Sequence, residues 1–187
     1  LAWLEQDKAF ASETSQGVWA LPNGENYYNY RLAQMTTLEF TADEIHEIGL
    51  SEVKRLHLAM EKIKTAVDFK GSLQDFFVFM REDDRFYFPN TDEGRQDYLD
   101  LNNAYLDAIT LKLPDYFGRL PKAQLEVRRV EYFREQTGAA QHYASGTPDG
   151  SRPGVFYSHM SDMSTLPIFQ LEDVAYHEGS PGHHMQI

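Results

Sequence analysis

Apolar positions recur at helical spacing along most of this chain and take on a strand-like texture only in its last third. The longest run is Ile45, Ile48, Val53, Leu56, Met60, Ile63 and Val67, in steps of three to five residues, which predicts one amphipathic helix. Thr41-Ala42-Asp43-Glu44 stands where that helix should begin. The Thr hydroxyl and Glu carboxylate can satisfy each other's backbone donors there as a capping box, and Gly71 is a plausible stop. A second helix is expected through Phe76, Phe77, Phe79 and Met80, started by Ser72 or Asp75 and ended by the charged stretch from Arg81 to Arg85. Phe86 to Pro89 reads as a short extended piece. Thr91 to Gly94 then opens a third helix through Tyr98, Leu101, Tyr105 and Ile109, which Leu113-Pro114 closes. Ahead of all these lie an amphipathic stretch around Trp3, Leu4 and Phe10, a turn at Leu21-Pro22-Asn23-Gly24, and the aromatics Tyr27, Tyr28 and Tyr30.

From about Leu120 the pattern changes. Leu125 to Val130 alternates and is β-branched, as in a strand. The stretch from Gly146 to Gly154 holds three Gly and two Pro, a turn composition, and Val155 to His159 is the natural strand after it. Leu166-Pro167 sets up a last helix with Ile168, Leu171, Val174 and Ala175 apolar. The expected fold class is mainly α, with a small β-hairpin preceding the final helix. At 187 residues, 1–187 reads as a single region, the N-terminal or processed part of a larger domain, since the chain begins at Leu1 and stops inside its last motif.

That motif is His177-Glu178-Gly179-Ser180-Pro181-Gly182-His183-His184-Met185-Gln186. It is close to H-E-x-x-H, where two His on one helical face bind zinc and the Glu serves as general base. The spacing differs: Pro181 stands four positions after His177, and the next histidines come six and seven positions on. On an ideal helix, position i+7 returns to within about 20° of i while i+6 lies about 120° away, which favours His184 as the second ligand. Pro181 cannot continue a regular helix, and a bulge absorbing two residues would bring His183 onto the metal face instead. Both stay open on spacing alone. The other H-E pair, His46-Glu47, has no His downstream until His57 and reads as an ordinary helix face; His142 and His159 read as structural or surface residues.

Composition narrows the field of partners. A net charge of −12 argues against nucleic acid, which needs basic surface. The absence of cysteine excludes thiolate metal sites, disulfides and a Cys nucleophile. No apolar run is long enough for a membrane span. The eleven Tyr and twelve Phe are read as core and not as a cofactor box.

Three blocks together carry a family resemblance. His177-Glu178-x-x-Pro181-Gly182-His183-His184-x-Gln186, the segment Ile45-His46-Glu47-Ile48-Gly49-Leu50-x-Glu52-Val53, and Tyr143 through Asp149-Gly150-x-Arg152-Pro153-Gly154-x-Phe156-Tyr157 resemble the bacterial "domain of unknown function 885" family, over roughly residues 27 to 187. The resemblance implies a helical, gluzincin-like metallopeptidase fold, Zn2+ as cofactor and a bacterial envelope or periplasmic setting, with membrane attachment only through an N-terminal lipid anchor upstream of Leu1. It implies His177 and His183 as zinc ligands, with His184 the runner-up, and Glu178 as the catalytic base. The third ligand, a Glu, is expected beyond Ile187. The expected reaction is zinc-dependent hydrolysis of peptide bonds in short peptides through a metal-bound water. Val155 to His159 is the candidate edge strand for pairing with the peptide substrate, and Tyr143, Arg152 and Tyr157 are candidate substrate-binding residues. The alternative is an extracytoplasmic binding or scaffold lipoprotein with a degenerate metal site.

Overall fold

The computed structural model describes residues 2–11 and 17–186. It is mainly α: seven helices and one three-stranded sheet lie among the described residues. The chain divides into two compact units, Leu1–Leu73 and Gln74–Ile187.

The first unit holds α1 (Ala2–Lys8), α2 (Gly24–Thr36) and α3 (Ala42–Ala66). The capping box forms as the sequence predicts. The Thr41 hydroxyl accepts from the Glu44 N–H at 3.2 Å, and the Glu44 carboxylate accepts from the Thr41 N–H at 2.8 Å. These bonds hold the Glu44 carboxyl below its usual range. The helix stops at Ala66, five residues before Gly71, with Asp68 taking the left-handed conformation. Its apolar stripe is present, but none of its residues is fully buried.

The second unit holds α4 (Leu73–Glu82), which starts at the junction, α5 (Asp92–Thr110), α6 (Leu113–Tyr116), β1 (Leu125–Arg129), β2 (His142–Ala144), β3 (Gly154–Ser158) and α7 (Ile168–Glu178). Thr91 caps α5 by accepting from the Gly94 N–H. Phe86 is not extended as expected but closes a single 3-10 turn over Asp84–Phe86, started by Asp83 accepting from the Arg85 N–H.

Tyr98, Asn102 and Leu106 recur every four residues on α5 and form its buried face. Leu171 and Ala175, again four apart, face them from α7. One core cluster joins Tyr98, Met160, Met163, Leu166 and Leu171; a second joins Leu106, Phe156 and Ala175. At about 1.5–3 kcal/mol per fully buried large apolar side chain, these contacts outweigh any local preference in placing α7.

The sheet order is β1-β3-β2, with β1 parallel and β2 antiparallel to β3. A hairpin does precede α7, but its strands are β2 and β3; Leu125 to Val130, the strand expected before the turn, runs parallel to β3 instead. The stretch Val155 to His159, expected as a free edge, falls on the central strand β3, with both edges already paired. Phe156 explains why: it is 0% exposed, and only a central position covers it from both sides. The edge beside β3 belongs instead to β2, residues His142–Ala144.

Candidate metal centre

The last turn of α7 delivers His177 and Glu178 side by side. The helix ends there because Gly179 takes φ −96°, ψ −120°, outside the helical region, while its N–H still bonds the Ala175 carbonyl at 2.8 Å. The chain then folds back over the helix end. The Gly182 N–H donates to the Tyr176 carbonyl at 2.9 Å, satisfying one of the acceptors a helix terminus leaves open. The His184 N–H donates to the Gly179 carbonyl, and His183–Gln186 form a 3-10 turn. The expected bulge within one helix is therefore replaced by a break and a reversal, because Pro181 and the two glycines let the backbone leave the helix altogether.

The reversal brings His183 back to His177. Their rings stand at 89° with centroids 4.9 Å apart, and His183 Nε2 lies 3.9 Å from Glu178 Oε2. One ligating atom from each of His177, Glu178 and His183 falls within 4.8 Å of the others. The Gln186 Oε1 lies 3.0 Å from His183 Nδ1. An amide oxygen only accepts, so Nδ1 donates to it, and Nε2 is the ring nitrogen turned toward Glu178. Two imidazoles and a carboxylate suit zinc chemically, and the negative end of the α7 dipole favours a cation there.

His184 faces the other way. It is buried, with Nε2 3.0 Å from the Ala123 carbonyl and Nδ1 2.8 Å from the Tyr143 hydroxyl, so neither ring nitrogen turns to the cluster. Burial pushes its imidazole below the usual histidine range.

An open cleft of about 430 Å³ runs beside the cluster, lined by Gln141, His142, Tyr143, Ser145, Glu178, His183 and Gln186. Tyr143 is thus at the cleft. Burial pushes its hydroxyl up, against the opposing pull of the Gly146 N–H and the Arg152 charge. Arg152 and Tyr157 do not line it. Arg152 is exposed on the loop before β3. Tyr157 pairs with His142 across the strands and stacks on it at 5.3 Å, on the sheet face opposite Phe156. His142 and His159 stand 5.5 Å apart, and burial together with the His142 charge lowers the His159 imidazole. His46 and Glu47 lie on α3, in the first unit.

Gln186, Ala123 and Gln141 carried no role in the sequence reading. Gln186 had a usable signal: it follows His183 by three residues, within reach along one helical turn.

The model of a bacterial family of unknown function, DUF885, matches residues 1–187. The chain belongs to this family. It is also similar to a chain in "The crystal structure of the putative lipoprotein from Colwellia psychrerythraea", with 34% identity and a TM-score of 0.82. That similarity covers 97% of this DUF885 chain and 31% of the solved one, so the present chain spans about a third of its relative. A search of curated proteins found no match.

Proposed function

We propose that this DUF885 region carries the zinc-ligating helix of a metallopeptidase acting on short peptides. The observation that supports it is the convergence of His177, Glu178 and His183 within 4.8 Å, with His183 Nε2 turned inward. His177 and His183 would hold the zinc, and a Glu from a later segment of the whole protein would complete the ligand set. When bound, zinc supplies a Lewis acid that activates water for attack on a carbonyl carbon. Glu178 is the base: its side chain is 13% exposed, sheltered yet open to the cleft, where it can take the water proton and return it to the leaving amine. β2 lines the same cleft and offers a peptide an edge to pair with, taking over the part expected of β3. Of the three candidate substrate residues, Tyr143 borders the substrate path.

The description of the Colwellia protein as a lipoprotein favours a cell-envelope setting, with attachment through a lipid anchor. Among the described residues no helix is long and apolar enough to cross a membrane. The same description motivates the second reading, a binding or scaffold lipoprotein with a degenerate metal site. Metal analysis and peptide hydrolysis by the whole protein separate the two. Glu178→Gln should keep about one zinc per chain and lose hydrolysis, since it removes the base and leaves both imidazoles. A folded wild-type protein without metal would favour the scaffold.

A further inference from the structure

Behind the cluster, His184 sits in a fully specified environment. It is 4% exposed, and the Ala123 carbonyl can only accept, so the hydrogen resides on Nε2. A neutral imidazole then offers Nδ1 as a lone pair, and the Tyr143 hydroxyl donates to it at 2.8 Å. Gly154 faces this bond. A Cβ there would stand 2.1 Å from the Tyr143 oxygen and 2.7 Å from His184 Nδ1, so the pair occupies the space a side chain would need. The Tyr143 ring lies nearly parallel to the His183 ring, at 17° and 6.3 Å between centroids, an offset stack.

We propose that His184 and Tyr143 are positioning residues for His183. His184, anchored on Ala123, fixes the Tyr143 hydroxyl; the Tyr143 ring then backs the His183 imidazole while Gln186 holds its Nδ1–H, so that Nε2 stays turned toward Glu178. This rests on reading His183 as a zinc ligand. It also gives Tyr143 a different task from binding substrate through its hydroxyl, because its proton is committed inward. The adjacent histidines therefore divide the work: one faces the metal position and its neighbour braces it from the core.

The test uses the whole protein, metal-free, with 15N-labelled histidine, and reads the side-chain tautomers by NMR at one fixed alkaline pH. Wild type should show His183 as a single Nδ1–H tautomer and His184 as Nε2–H. Tyr143→Phe, which removes only a hydroxyl, should turn His183 into a tautomer mixture with the circular dichroism unchanged. With Tyr143 intact, His184→Gln can still accept from its hydroxyl and donate to the Ala123 carbonyl and should keep His183 in the single form, whereas His184→Ala should give the mixture. An unchanged His183 tautomer in Tyr143→Phe overturns the proposal, and that variant decides alone should His184→Ala not fold. Titration with cobalt(II) alone tests the underlying reading separately. Tyr143→Phe should bind it about 10–100-fold more weakly and with an altered visible spectrum. Wild-type protein that shows the tautomer pattern but binds no cobalt would refute the metal site while leaving the bracing of His183 in place.

Discussion

A methyl group on residue 182 would stand 1.9 Å from the His177 carbonyl oxygen and 2.5 Å from that of Tyr176. Neither atom can retreat, since both belong to the helix backbone that presents His177. Gly182→Ala should therefore cost about 1–3 kcal/mol or more and pull His183 away from His177. Gly49→Ala is the internal contrast. Gly49 lies in α3 with nothing within 4 Å of a built Cβ, so the same change should stabilise by about 0.5–1 kcal/mol. Thermal unfolding together with zinc stoichiometry checks both: only the residue-182 variant should lose metal. Equal behaviour of the two would mean that the close approach of the loop to the helix end does not shape the site.

At the scale of elements, the site is held by the packing of β3 between its neighbours and α7. Phe156 is wholly buried against Leu106 and Ala175, so Phe156→Ala should cost about 3–5 kcal/mol in denaturant titrations. The turn after β1 is tied by Glu135, which accepts two bonds from Arg129, at 2.8 and 2.7 Å, and one from the Met160 N–H. The Arg129 bonds hold the Glu135 carboxyl below its usual range. In acid the unfolded chain thus binds a proton before the folded one does. The stability from this group is complete above the ordinary carboxylate range and is lost as pH falls through the lower folded value. Glu135→Gln should cost about 1.5–3 kcal/mol at neutral pH, toward the lower end because Arg129 is 31% exposed, and should flatten the acid limb of the stability curve. An acid limb identical to wild type would assign that loss to other groups. The helices α3, α5 and α7 were legible in the sequence because caps and a 3.6-residue period are local signals. The sheet was only half legible. Five residues at Val155 announce a strand but not which neighbours it takes, and β2, three residues long, is too short to register a period. In the site, the motif exposed His177, Glu178 and His183. The links from His184 to Tyr143 and Ala123 span 41 and 61 residues, and no local pattern encodes them.

At the scale of the whole chain, the net charge of −12 over these 187 residues creates an ambiguity that an experiment must resolve, because an acidic surface gathers divalent cations without any built site. The two kinds of binding differ physically. Diffuse attraction decays over a Debye length of about 8 Å at physiological ionic strength and does not distinguish zinc from magnesium by ligand type. The two imidazoles of His177 and His183 select zinc, since magnesium prefers oxygen donors and sheds its water reluctantly. Metal held only by the folded state adds stability, about 2.7 kcal/mol when free zinc stands 100-fold above its dissociation constant. In the whole protein, chelation should therefore lower Tm by several degrees. Zinc should restore it at high salt, magnesium should not, and His177→Ala should abolish the zinc effect. A rise in Tm that magnesium reproduces, or that survives His177→Ala, would place the bound cations on the acidic surface and not between His177 and His183.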